Sequence, residues 1–175
     1  YPEILENGHV RVDMGKPHLL AEEIPVVGMG KGQVIHQPLI NGGTGKTYPI
    51  TCVSMGNPHC VIFVDDIQSI DLPGEGSHLE VDAHFPKKAN IEFVQQLDTH
   101  HFRMRVWERG TGITMACGTG TCATVVAAIL NGLTKDYADV DLDGGTLHIE
   151  WDGNPDSHVF MTGPAVKAFE GEYEL

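Results

Sequence analysis

The alternation of apolar and polar positions divides most of this chain into short strands. His101–Glu108 is the clearest case: Phe102, Met104 and Val106 share one face, and Arg103, Arg105 and Trp107 share the other. That is the period of two of a half-buried strand. Comparable runs predict strands at Val10–Met14, Gly32–His36, Lys46–Ser54, Cys60–Val64, Asn90–Gln95, Ala138–Leu142, Thr146–Trp151 and His158–Thr162. Turn residues at Asn41-Gly42-Gly43, Asp143-Gly144-Gly145 and Asp152-Gly153-Asn154-Pro155 predict tight antiparallel connections. One segment departs from this rhythm. Thr121–Leu130 carries no charge on any face and runs into Asn131-Gly132, a helix stop, so it predicts a helix buried on all sides. A shorter helix is expected around Leu72–Phe85. Together these elements predict an α+β fold in which a curved sheet surrounds the buried helix.

Composition narrows the function classes. The chain has 175 residues, enough for one domain or one and a fraction with a real core. Its formal charge of −13 argues against nucleic acid and against an anionic membrane face, and no basic run longer than Lys87-Lys88 offsets it. The uncharged stretch from Thr111 to Thr134 is rich in Gly, Thr and Cys and does not predict a membrane span. No signal peptide opens the chain, and Tyr1 in place of an initiator Met leads us to expect a start within a longer protein. Cys52, Cys60, Cys117 and Cys122 lack the CxxC spacing of zinc or thioredoxin sites, so reduced thiols in a cytoplasmic protein are expected.

Two glycine clusters invite a phosphate-binding reading and fail it. Before Gly45-Lys46-Thr47 the required first glycine would fall at Ile40. After Gly28-Met29-Gly30 no helix-opening pattern follows, so both clusters are read as turns. The stretch from Glu108 to Thr121 is different, because Ala116-Cys117-Gly118-Thr119-Gly120 lies between a strand and the start of the buried helix. Free N–H groups at a helix start bind anions, glycines let the backbone approach a ligand, and the helix dipole favours a thiolate. Such a segment can hold a carboxylate with a thiol beside it, which suits removal of an amino-acid α-proton. The local pattern fits equally a cysteine that merely packs at a helix start.

Four blocks carry a resemblance: Gly56-Asn57-Pro58-His59-Cys60, Ala89-Asn90-Ile91-Glu92-Phe93-Val94, Glu108-Arg109-Gly110 with Ala116-Cys117-Gly118-Thr119-Gly120, and Met161-Thr162-Gly163-Pro164-Ala165 with Phe169-Glu170-Gly171. In order and approximate spacing they resemble the successive signatures of diaminopimelate epimerases, over nearly the whole chain. The resemblance implies one half of a pseudo-symmetric two-domain epimerase, with a mixed, mostly antiparallel sheet. Residues 1–16 would end a first domain, 17–162 would form the second, and 163–175 would pack back on the first. It also implies conversion of LL-diaminopimelate to the meso isomer by two cysteines, without pyridoxal phosphate, metal or other cofactor. Cys117 matches one of the two thiols. His59 and Glu108 would assist beside the reacting centre. Backbone N–H groups of Gly118 and Thr119 would hold the reacting carboxylate, and Asn57, Asn90 and Arg109 would grip the far end. Such a protein would partner the small substrate and its own missing first domain, and a homodimer stays open. Two departures stand out: the family usually has an acidic residue where Ile113 stands, and the half bearing the partner cysteine is absent. A racemase for another small amino acid, or a non-catalytic domain that binds carboxylates, would share much of this pattern. Cys52, Cys60 and Cys122 are expected to serve as small buried apolar groups.

Overall fold

The computed structural model describes residues 2–172. Among these residues eleven strands join in one sheet: β1 (Pro2–Ile4), β2 (His9–Asp13), β3 (Gln37–Ile40), β4 (Thr47–Ser54), β5 (Pro58–Phe63), β6 (Asn90–Asp98), β7 (His101–Glu108), β8 (Gly112–Ile113), β9 (Tyr137–Leu142), β10 (Gly145–Glu150) and β11 (Phe160–Pro164). Their order across the sheet is β1-β2-β11-β10-β9-β7-β6-β5-β4-β3, with β8 set against β7. The β5–β6 and β7–β9 pairs are parallel and the others antiparallel, so the sheet is mixed and mostly antiparallel, as expected. Among the described residues there are two α-helices, α1 (Leu72–Glu80) and α2 (Gly118–Leu130), and a short 3-10 turn at Ile67–Ser69.

The turn chemistry explains where expectation and structure part. Leu142 pairs directly with Gly145, so Asp143-Gly144 makes the tight two-residue hairpin predicted there. Asn41 closes the β3–β4 connection: its Oδ1 accepts from the Gly43 N–H at 3.0 Å, and Gly45 takes a φ of +72°. Asp152–Pro155, by contrast, is no tight hairpin. Trp151 and Val159 plunge into the core on either side of it, and Asp152 is spent holding the Asn154 N–H and the Ser157 hydroxyl. The strand expected at Gly32–His36 is also absent. Only Gln33 bridges, to Leu20, and His36 takes a φ of +51° that breaks extended backbone. The strand begins one residue later, on the sheet's outer edge, where Pro38 loses no ladder bond.

Helix α2 starts at Gly118, earlier than its charge-free run alone predicted, and everything from Gly120 to Ala128 is buried. It contacts β4, β5, β6, β7, β9, β10 and β11, and Val53, Val61, Val94, Phe102, Met104 and Ile149 line its surroundings. Full burial of each such side chain contributes about 1.5–3 kcal/mol, which outweighs the cost of about 1 kcal/mol for each glycine in the helix. A second core on the opposite side of β4–β6 gathers Ile50, Cys52, Cys60, Ile62, Ile91 and Phe93 into one cluster with Leu72 and Leu79 of α1. The strict alternation along β5 and β6 therefore decides which side chains reach α2. Cys60, Ile91 and Phe93 turn away from it, while Val61 and Val94 turn towards it, and His59 and Glu92 share that second side.

Candidate active site

Cys117 occupies the N-cap of α2 in an extended conformation (φ −139°, ψ 103°), and its carbonyl accepts from Thr121 N at 2.8 Å. The N–H groups of Gly118 and Thr119 fall in the first turn, where a helix offers no carbonyl partner. They face the same end of the helix as the sulfur. Cys117 is 7% exposed, whereas Cys52, Cys60 and Cys122 are at most 1% exposed and belong to the two cores. The helix start alone leads one to expect an easily ionised thiol. The structure reverses that expectation: burial first, then the carboxylates of Glu92 and Glu108, push the Cys117 thiol up to about 11. The Gly120 N–H and the Thr119 hydroxyl, 3.7 Å from Sγ, pull the other way and lose.

Behind the sulfur runs a chain of polar groups. Glu92 Oε1 lies 2.6 Å from His59 Nδ1, with both side chains fully buried. His59 Nε2 lies 3.0 Å from Asn57 Oδ1, and Asn57 Nδ2 donates to Thr119 Oγ1 at 3.2 Å. The structure thus brings His59, Asn57, Thr119 and Cys117 together from β5, the turn before it and the start of α2. Glu92 is a member that sequence reasoning passed over. Its signal was present, since an acidic residue inside the apolar run Asn90–Val94 is rarely buried without a partner. Burial raises its carboxyl above the ordinary range, His59 lowers it, and Glu108 raises it further.

The remaining expected residues sit one turn away. Glu108 ends β7 and accepts from the Thr114 hydroxyl, which ties it to the loop before Cys117. Asn90 is spent within the chain: its Oδ1 accepts from Arg109 N at 3.0 Å and its Nδ2 donates to the Pro58 carbonyl at 3.2 Å. It therefore joins the Asn57-Pro58 turn to the Glu108-Arg109-Gly110 turn. The Arg109 guanidinium donates to the Lys87 carbonyl at 3.0 Å. A second residue missed in the sequence, Glu80, accepts from Gly110 N at 2.9 Å, Trp107 Nε1 at 2.8 Å and Lys88 Nζ at 3.0 Å. It anchors the far side of the same turn.

The sequence model of a family described as diaminopimelate epimerase matches residues 51–168, which contain every one of these groups. The chain belongs to the diaminopimelate epimerase family. It is 49% identical over 175 residues to a diaminopimelate epimerase of Synechocystis sp., covering 99% of this chain and 62% of the relative. It is 51% identical over 176 residues to one of Pelotomaculum thermopropionicum, covering 98% and 61%. The chain thus spans about three fifths of the length of these curated relatives. Among solved structures, a probable proline racemase from Agrobacterium radiobacter aligns with a TM-score of 0.64 at 14% identity, over 89% of this chain and 50% of that one. A hydroxyproline epimerase from Agrobacterium vitis gives 0.60 at 12%, over 93% and 52%. At such identities the likeness concerns the fold.

Against this family background, Ile113 stands exposed on β8, in register with Trp107, and its side chain points no charge at Cys117. A cleft of about 640 Å³ beside β2, β10 and β11 is lined by Arg11, His148, Glu150 and His158, none of them in the Cys117 cluster. Its basic groups already carry carboxylate partners, Arg11 with Glu150, His148 with Asp139 and His158 with Asp13.

Proposed function

We propose that this chain forms the carboxyl-terminal part of a diaminopimelate epimerase, which converts LL-diaminopimelate to the meso isomer for lysine and cell-wall synthesis without a cofactor. The observation that carries the reading is Cys117 at the glycine-rich start of a buried helix, with Glu108 acting on it from β7 and His59 linked to it through Asn57 and Thr119. In this reading the Gly118 and Thr119 N–H groups receive the α-carboxylate, where the helix dipole favours negative charge. The Cys117 thiolate removes the α-proton on one face, and a thiol from the first domain delivers a proton on the other. The burial that pushes the Cys117 thiol up also makes its thiolate the stronger base once it forms. Arg109 turns towards the distal amino-acid group when substrate displaces the Lys87 carbonyl, while Asn57 keeps its present partners beside it and Asn90 holds the two turns together.

Residues 1–16 and 163–175 serve as the contact with the first domain in this reading. Ile4, Val166 and Phe169 are 79%, 89% and 85% exposed, apolar side chains that such a contact would cover; residues 173–175 and Tyr1 lie outside the described residues. No helix among the described residues is long and apolar enough to cross a membrane, and the four described thiols are unpaired, which is in keeping with a cytoplasmic enzyme. The other three cysteines are sealed in the cores, so a single chain has one acid/base thiol. The test is α-deuterium incorporation and chiral analysis of diaminopimelate. The chain alone should fold cooperatively and turn over negligibly, and adding a first domain with its own cysteine should restore epimerisation. Robust turnover by the isolated chain would overturn the two-thiol reading. Carboxylate binding without restored turnover would favour a binding domain.

A further inference from the structure

We propose that Glu92 is a positioning residue of the Cys117 site: through its buried pair with His59 it fixes the direction of a hydrogen-bond chain that ends on Sγ. The inference rests on the epimerase reading only for its purpose, and its geometry stands independently of the substrate. Hydrogen-bond inventory gives the direction. Asn57 Nδ2 donates to Thr119 Oγ1, so Asn57 presents its Oδ1, an acceptor, to His59 Nε2 at 3.0 Å. Two lone pairs cannot face each other at that distance, so Nε2 carries a hydrogen. Nδ1, 2.6 Å from Glu92 Oε1, then shares one further proton with the carboxyl group. Whether that proton sits on nitrogen or oxygen, the pair is neutral as a whole, which is what a site closed to water demands.

The consequence runs to the sulfur. With its oxygen already accepting from Asn57, Thr119 keeps its own hydrogen free for Sγ of Cys117, 3.7 Å away. Every donor from His59 onward therefore points at the thiol, and a thiolate formed there meets a hydroxyl hydrogen instead of a lone pair. Without Glu92 the imidazole is free to move its hydrogen to Nδ1, Asn57 turns over, and Thr119 spends its hydrogen on Asn57. Two further features tie the carboxyl group to this place. Glu92 Oε2 is buried with no partner, a costly arrangement that a purely structural residue has no reason to keep. A Cβ at Gly120 would lie 2.7 Å from Glu92 Oε1 and 3.1 Å from Sγ, so the carboxyl group sits in the notch that this glycine leaves beside the thiol. The other titratable groups close to the pair are Glu108 on β7 and Cys117 on α2, with Cys60 behind it on the opposite face of β5.

The experiment measures the alkylation rate of Cys117 in this chain, by iodoacetamide and peptide mass spectrometry, for a double-mutant cycle. Both Glu92→Leu and Glu92→Gln remove the carboxylate that raises the thiol, so the comparison between them isolates the chain. Glu92→Gln, whose amide can donate to Nδ1 and hold the hydrogen on Nε2, should react at least as fast as wild type. Glu92→Leu should react roughly tenfold slower than Glu92→Gln, the size of one hydrogen bond to a charged group. In a Thr119→Val background the two variants should react alike. Equal rates for the two variants would mean that Glu92 acts on the thiol by its charge alone, and a persisting difference in Thr119→Val would break the chain; either overturns the proposal. Should Glu92→Leu fail to fold, ring nitrogen spectra of the wild-type chain decide it at neutral pH. A bare Nε2 on His59 sinks the assignment, and a protonated one supports it. None of these readouts uses turnover, so failure of the epimerase reading would show separately.

Discussion

Nδ1 of His59 and Oε1 of Glu92 meet at 2.6 Å with neither side chain exposed to solvent, although 33 positions separate them in the chain. The parallel β5–β6 pair makes this contact, by bringing the residue after Pro58 level with Asn90 so that both acid/base groups fall on the α2 side. Their neighbour Cys117 owes its high proton affinity first to its own burial and then to the carboxylates of Glu92 and Glu108.

Cys117 should be alkylated before the other three cysteines. Its thiol is pushed up to about 11 and that of Cys122 to about 12, so neither is a ready thiolate at neutral pH, and access decides the order. Cys117 is 7% exposed and the others are sealed. Limiting iodoacetamide followed by peptide mass spectrometry should label Cys117 first, at a rate still climbing with pH well above neutrality. Equal labelling of all four would remove the distinction on which the site rests.

Arg109→Lys in a protein that also carries the first domain should lower the specificity constant for diaminopimelate. The lysine keeps the charge but loses the planar fork and the present bond to the Lys87 carbonyl. Contacts to an ionised group are worth about 1.5–3 kcal/mol, so the loss should be roughly tenfold to a hundredfold. Steady-state kinetics with unchanged constants would return Arg109 to a purely structural role at the turn.

How much of this could be seen in the sequence depended on how local the cause was. The bounds of β7 matched because alternation over His101–Glu108 is a property of eight adjacent residues. The charge-free run marked α2, and Gly-Thr-Gly after Cys117 marked its start. The β10–β11 connection was misjudged because the anchors that stretch it, Trp151 and Val159, reach a core that the turn residues do not show. The ionisation of Cys117 was misjudged for the same reason. A helix dipole can be read beside the cysteine, but the opposing Glu92 carboxyl arrives from another strand. The link from Asn57 to Thr119 spans 62 positions and has no local trace at all.

Acid should loosen the Glu108-Arg109-Gly110 turn. Burial alone raises the Glu80 carboxyl, yet its bonds to Trp107, Lys88 and Gly110 more than compensate and hold it below the ordinary range. A group with a lowered folded value binds fewer protons in the native state. Its contribution is therefore present above the unfolded value of about 4.3 and is lost as pH falls through the lowered folded value. Urea unfolding at a series of acidic pH values should show this slope, and Glu80→Gln should flatten it. An identical slope in the variant would mean that other carboxylates, Glu75 and Asp141 among them, account for all of it.

Gly120→Ala sets two effects of opposite sign against each other. Alanine is the better helix former by about 1 kcal/mol, and Gly120 lies in the first turn of α2 with no positive φ to lose. On helix propensity alone the variant should be more stable. The added methyl group, however, would stand 2.7 Å from Glu92 Oε1 and 3.1 Å from the Cys117 sulfur. A carboxyl group at the end of a flexible chain could ordinarily swing aside at little cost. This one is fully buried and tied to His59 at 2.6 Å, so moving it breaks a buried pair. Overpacking of this kind costs about 1–3 kcal/mol, and uncoupling the pair adds to it. Packing should therefore win, with a net loss of stability in chemical unfolding and a slower alkylation of Cys117. A variant as stable as wild type with undiminished thiol reactivity would show that Glu92 can leave its notch freely, and that the closeness of carboxyl group, glycine and sulfur has no part in the site.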